Sequence, residues 1–241
     1  MADLHYDHPR LAKLYDLDSG WSEDRDFYLN LAGDAPQRIL DLGCGTGLIC
    51  NQYAKNGHQV TGLDPSAGML DIARKSQFGK QIKWVEGFSQ DFNLNQKFDL
   101  IIMTGHAFQV LLTDEDVLNL FKMVKAHLRP NGIFTFETRN PQIDWVSRWN
   151  HSYELDLEGE IIKVTRRVLS HQDELMVFEH EYIFEDETLV SKSHLRFMPK
   201  QKIAKLYSQA NLALKTFVGD WTGGAFDPTT SKEMIFKLTM L

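Results

Sequence analysis

The sequence predicts an α/β protein built on a mostly parallel sheet, with a separate antiparallel addition. Three observations predict it. Through the first 140 residues, apolar runs that end in glycine or acidic residues alternate with longer segments of helical period, which is the pattern of βαβ units. The stretch "RILDLGCGTGLIC" (38–50) sets three glycines in five positions directly after an apolar run. After Pro141 the period drops to two, as expected for antiparallel strands with one wet face.

The elements follow in order. Residues 1–35 read as amphipathic helix, with Leu11, Leu14 and Tyr15 on one face and Phe27, Tyr28 and Leu31 on another. "RILDLG" (38–43) is the first buried strand, and "LICNQYAKNG" (48–57) is the helix after it, stopped at Gly57. "QVTGLD" (59–64) is the second strand, and Ser66 is placed to cap a helix over 66–76. "IKWVEG" (82–87) and "FDLIIMTG" (98–105) are the third and fourth strands. Thr113 followed by Asp116 gives a capping-box-like start, and Val117, Leu120, Phe121, Val124 and Leu128 recur at helical spacing until "RPNG" (129–132) stops the helix. "IFTFET" (133–138) is the fifth strand. "SYELDL", "EIIKVTRRVL", "ELMVFEHEYIF" and "TLVSKSHLRF" then form a meander over 151–197. A helix over 200–210 and the segments "LKTFVGD" (214–220) and "EMIFKLTM" (233–240) supply two more strands to the main sheet.

With 241 residues and 43% hydrophobic content the chain can bury a sizeable core. A net charge of −7 disfavours a nucleic-acid partner, because neutralising many phosphates needs clustered Lys and Arg. "MADLHYDHPR" has no apolar signal-type region and no apolar run approaches a membrane span, so a cytoplasmic protein with no membrane partner is expected. The two cysteines, Cys44 and Cys50, are too few for a disulfide framework and read as small buried hydrophobes.

The glycine turn tests which nucleotide it serves. Gly43, Gly45 and Gly47 lie between strand and helix, where bare N–H groups favour electron-rich ligand atoms. The dinucleotide fingerprint GxGxxG or GxGxxA fails in both frames, at Leu48 and at Cys50, and the GxxxxGK[ST] phosphate loop is absent. What remains is GxGxG, preceded by Asp41 and followed by Asp64 at the end of the second strand. A carboxylate at Asp64 can accept both ribose hydroxyls of an adenosine, or it can start the turn "DPS".

"LDLGCGTG" (40–47), "GLDPSAGML" (62–70), "FDLIIMTGHAFQVL" (98–111) and "LRPNGIFTFET" (128–138) resemble, in order and spacing, the signature segments of class I S-adenosylmethionine-dependent methyltransferases of the small-molecule type. The resemblance covers about residues 35–140. It implies a Rossmann-like sheet of seven strands with the last strand antiparallel, in one domain spanning 1–241. Within it, 1–35 would be a helical lid, 36–141 the cofactor core, 142–198 an inserted β meander, and 199–241 the final helix and two strands.

The cofactor implied is S-adenosylmethionine, leaving as S-adenosylhomocysteine. Gly43, Cys44 and Gly45 would lie along its methionine and ribose, with Asp41 and Gly47 flanking them, Asp64 on the ribose hydroxyls, and Pro65 and Met69 near the adenine. Phe88 stands where members often carry Asp, which leaves Ser89, Gln90 and Asp91 for the adenine edge, with Phe92 beside them. Met103, Thr104 and Gly105 would face the cofactor from the end of the fourth strand.

Candidate chemistry gathers at other strand ends. His106 follows the fourth strand and reads either as a general base or as a structural hydrogen-bonding residue. Tyr15 and Trp21 would close over the sulfonium, whose charge is drawn to aromatic faces, or simply pack a docked helix. Arg139 would hold a substrate carboxylate or cap the sheet through an ion pair. His171, His180 and His194 read as ordinary strand histidines, and no metal-ligand spacing is present. No "NPPY"-like segment and no Pro-Cys nucleophile occurs, which argues against nucleic-acid bases as acceptors. The expectation is methyl transfer to oxygen or nitrogen of a small molecule by a monomer or homodimer. A non-catalytic S-adenosylmethionine-binding or regulatory protein, and a nicotinamide-dependent oxidoreductase, are the alternatives.

Overall fold

A computed structural model describes residues 4–241, so the first three residues of the expected 1–35 lid lie outside the described residues. The lid is three helices, α1 (Leu4–Asp7), α2 (Pro9–Asp18) and α3 (Glu23–Leu31). The core alternates β1 (Arg38–Leu42), α4 (Leu48–Lys55), β2 (Gln59–Asp64), α5 (Ala67–Lys75), β3 (Lys83–Glu86), β4 (Phe98–Met103), α6 (Asp114–His127) and β5 (Leu128–Arg139). Both expected caps are present: Ser66 Oγ accepts from the Met69 amide, and Thr113 Oγ1 accepts from the Asp116 amide, each at 3.1 Å.

The main sheet has seven strands in the order β10-β11-β5-β4-β1-β2-β3, where β10 is Leu212–Val218 and β11 is Glu233–Met240. Strands β1 to β5 are mutually parallel, and β11 runs antiparallel between β5 and β10. Near-continuous apolar runs such as Leu100–Met103 are buried because helices cover both faces. On one face α6 and α8 (Lys200–Gln209) bring Phe121, Val124, Ile203 and Leu206 against Phe134, Phe136 and Phe236. On the other, α3, α4 and α5 bring Tyr28, Tyr53 and Leu70 against Ile39 and Ile102.

Four antiparallel strands, β6 (His151–Leu157), β7 (Glu160–Gln172), β8 (Leu175–Ile183) and β9 (Thr188–Arg196), form the meander as a second sheet. Its inner face buries Ile162, Val164 and Tyr182 against Leu11 and Leu14 of α2. The lid therefore docks on the meander as well as on the core.

Two elements differ from the sequence expectation. The fifth strand starts at Leu128 and not at 133, so "RPNG" ends the helix but lies within β5: Leu128 already pairs with Phe98, and the register then jumps to Ile133 opposite Leu100, so the extra residues form a bulge with Asn131 at φ 66°. A short helix, α7 (Trp145–Trp149), stands where no helix was expected. It is too short to show a helical period, and it is held by packing of Trp145 and Trp149 on Phe178 and Phe197 of the meander region.

Candidate active site

The strand order reverses between β1 and β4, and a cavity of about 510 Å³ opens at the carboxyl ends of β1, β2, β4 and β5. This is where an open α/β sheet presents a crevice, because the connections on either side leave in opposite directions. The meander and lid roof it.

The floor is the glycine turn. Gly43, Gly45 and Gly47 have φ of 74°, 53° and 75°, a region L side chains rarely adopt. At Gly45 a Cβ would stand 3.7 Å from Tyr15 Cε1, and at Gly105 3.7 Å from the Tyr15 hydroxyl, so side chains there would fill the gap between turn and lid. Thr46 ties the two together by donating to Asp16 of α2 at 2.6 Å. Asp64 Oδ2 accepts the Gly45 amide and Oδ1 the Ser66 amide, both at 2.8 Å. Asp64 thus starts the "DPS" turn and also pins the glycine turn while lining the cavity.

Of the residues expected at a cofactor, the cavity gathers Tyr15, Gly43, Gly45, Asp64, Pro65 and Met69 from the first two βα units. Ser89 and Gln90 line it after β3, and Met103, Thr104 and Gly105 after β4. Five lie off its wall. Asp41 is fully buried under the turn, where its Oδ2 accepts from the Cys50 thiol. Cys44 is also buried, which pushes its thiol up to about 11, well away from reactivity at neutral pH. Gly47 caps α4, and a Cβ there would collide with the Trp84 ring. Phe92 packs on His127, with ring centroids 4.5 Å apart, and Asp91 bridges back to Phe88, which itself lines the cavity. Trp21 is exposed and donates to Asp26, so it neither closes the site nor packs a core.

At the β4 end, His106 adopts φ 60° and its backbone N–H donates to Glu137 Oε1 at 2.7 Å. Its ring Nε2 is 2.8 Å from Glu233 Oε2. A carboxylate only accepts, so Nε2 carries a proton, and it is the neutral tautomer protonated there that presents a lone pair at Nδ1. Glu137 is buried and also takes the Tyr28 hydroxyl; burial raises its pKa. Burial likewise pushes the Tyr15 hydroxyl up to about 12, so it stays protonated.

At the β5 end, Arg139 makes no ion pair among the described residues. Its Nη1 donates to Gln109 Oε1 at 2.8 Å, and its Cζ lies 4.8 Å from the Trp149 ring centroid. Sequence reasoning missed Glu233, Trp149, Arg166 and the inward turn of His180. For Glu233 no local signal exists. For His180 one did: it shares the two-residue phase of Phe178 and Tyr182, the buried face of β8.

Residues 39–132 match the family model described as "Methyltransferase domain". The chain is 35% identical over 112 residues to a ubiquinone biosynthesis O-methyltransferase of Actinobacillus pleuropneumoniae serotype 7 (strain AP76), covering 43% of this chain and 46% of that one. It is 30% identical over 103 residues to a cypemycin N-terminal methyltransferase of Streptomyces sp, covering 43% and 42%. The chain thus spans about half the length of the curated relatives it matches. A solved S-adenosylmethionine-dependent methyltransferase from Clostridium acetobutylicum superposes with a TM-score of 0.79 at 18% identity, over 96% of this chain and 98% of that one.

Proposed function

From a chain that carries a methyltransferase domain and has the class I methyltransferase fold, we propose an enzyme that transfers the methyl group of S-adenosylmethionine to an oxygen or nitrogen of a small-molecule acceptor. The observation that carries this reading is that one cavity joins the glycine turn, Asp64 and the carboxylate-held His106.

The residues present fit the cofactor. Asp64 supplies hydroxyl acceptors at the end of β2, the turn offers backbone without side chains, and Tyr15 covers the gap that a Cβ would close. When bound, S-adenosylmethionine supplies an electrophilic methyl group on a cationic sulfur. The chain's part is to orient the acceptor and exclude water, which in a displacement of this kind supplies much of the rate. Tyr15 presents a ring face and a protonated hydroxyl, and its work is packing over the turn. His106 takes the acceptor's proton at Nδ1, while Glu233 holds the ring and stabilises the imidazolium that results.

The acceptor atom differs between the two relatives, one named for O-methylation and one for N-terminal methylation, so a broad panel is the test. Calorimetry should show S-adenosylhomocysteine binding, and amines, phenols and hydroxy acids should be screened for S-adenosylhomocysteine release. Absence of binding overturns the reading. Binding with silence on every acceptor would instead favour a non-catalytic binder.

A further inference from the structure

Two guanidinium groups enter the cavity, and neither meets a carboxylate. Arg139 comes from the end of β5 and Arg166 from β7 of the meander. Their Cζ atoms lie 4.8 and 5.3 Å from the centroid of one ring, that of Trp149. Arg139 is shared with a second ring, Trp145, at 5.7 Å. Among the described residues no Asp or Glu oxygen lies within 4.0 Å of either group.

The nearby acids are engaged elsewhere. Asp18 accepts the Tyr153 hydroxyl at 3.0 Å, Asp64 holds two backbone amides of the turn, and Glu233 holds His106. The hydrogen bonds the two arginines do make are to neutral partners. Arg139 donates to Gln109, and Arg166 Nε donates to His180 Nε2 at 2.7 Å.

His180 is neutral in this setting. Burial, with Arg166 next in weight, pushes its pKa down to about 3. Accepting at Nε2 puts its proton on Nδ1, and that buried Nδ1 has no hydrogen-bond partner among the described residues. Burial also pulls Arg139 down to about 10, with Glu233, its cross-strand neighbour, acting in the opposite direction from beyond ion-pair distance. Aromatic faces relieve part of the burial cost, but a half-buried guanidinium fork is matched in full only by a planar or tetrahedral oxyanion.

We propose that Arg139 and Arg166, standing on Trp149, form a receptor for an anionic oxyacid group, carboxylate or phosphate, on the methyl acceptor. This rests on the methyltransferase reading for the reaction, but on the cavity alone for the binding. It assigns the meander a role in choosing the acceptor, because Arg166, His180 and Phe178 all come from it. Acceptors without negative charge leave both guanidiniums unmatched and are disfavoured.

The test uses the whole chain saturated with S-adenosylhomocysteine and compares benzoate, benzamide and inorganic phosphate by calorimetry. Benzoate should bind at least tenfold more tightly than its neutral isostere benzamide, and added salt should weaken benzoate alone. Phosphate binding tighter than benzoate identifies a phosphorylated acceptor; the reverse order identifies a carboxylic one. Arg139→Gln and Arg166→Gln should each remove the preference while S-adenosylhomocysteine affinity stays within twofold. Equal affinity for benzoate and benzamide, or a preference that survives both substitutions, overturns the proposal. The wild-type comparison decides if a variant fails to fold. If S-adenosylhomocysteine does not bind, the methyltransferase reading falls, and benzoate against benzamide on the free chain still tests the receptor.

Discussion

His106 Nε2 and Glu233 Oε2 stand 2.8 Å apart, joining the end of β4 to the first residue of β11 across 127 positions of sequence. The pairing of β11 with β5, Glu233 opposite Arg139, brings Glu233 to the cavity-lining His106. His106→Ala should lower turnover about 100-fold or more, and Glu233→Gln about 10-fold, with S-adenosylhomocysteine affinity unchanged. Wild-type turnover in both variants would remove the pair from the chemistry.

Asp64→Ala should weaken S-adenosylhomocysteine binding by about 1.5–3 kcal/mol, the range for hydrogen bonds to a charged group. The same change frees the Gly45 and Ser66 amides, so some loss of thermal stability should accompany it. Unchanged affinity by calorimetry would place the ribose elsewhere.

Tyr15→Ala should raise the S-adenosylhomocysteine dissociation constant by about tenfold, because it opens the gap over Gly45 and Gly105. Tyr15→Phe should keep both the affinity and the pH profile of turnover, since burial holds the hydroxyl protonated with a pKa near 12. A shifted alkaline limb in Tyr15→Phe would mean that the hydroxyl titrates in the reaction.

Burial lifts the Asp41 carboxyl to about 7, partly offset by the Cys50 thiol that donates to it. In the unfolded chain the same group ionises near pH 4. Folding at pH 8 therefore carries the cost of a buried charge, and that cost shrinks as pH falls through 7 towards 4. Asp41→Asn should stabilise the ligand-free protein by roughly 1–2 kcal/mol at pH 8 and by much less at pH 5. Urea denaturation at both pH values checks this; a variant that is less stable at pH 8 would contradict it.

Trp149 is 6% exposed and packs on Phe178 at 5.0 Å and Phe197 at 6.0 Å. Trp149→Ala should cost about 3–5 kcal/mol of stability, and it should unseat both arginines. Trp149→Phe should retain most of the stability, as thermal melting would show.

The first five strands and their helices were legible because each depends on near neighbours. Apolar runs, glycine turns and the Ser66 and Thr113 caps all act within a few residues. "RPNG" does follow the end of the helix at His127, but strand pairing went unread: Leu128 already pairs with Phe98 of β4 and carries the four residues into a bulge. Most of the residues expected at a cofactor line one cavity because they follow successive strands; of the others, Asp41, Cys44 and Phe92 are buried off its wall, Gly47 caps α4, and Asp91 is exposed.

By itself, then, the sequence determined the α/β core, the glycine turn that excludes the dinucleotide fingerprint, and Asp64 at the end of the second strand. Only the tertiary structure decided that Glu233 meets His106, and that Arg139 and Arg166 share the Trp149 ring. Those contacts join residues on different strands, or on different sheets. They depend on strand register and on how the meander packs over the crevice, and no short-range periodicity encodes either.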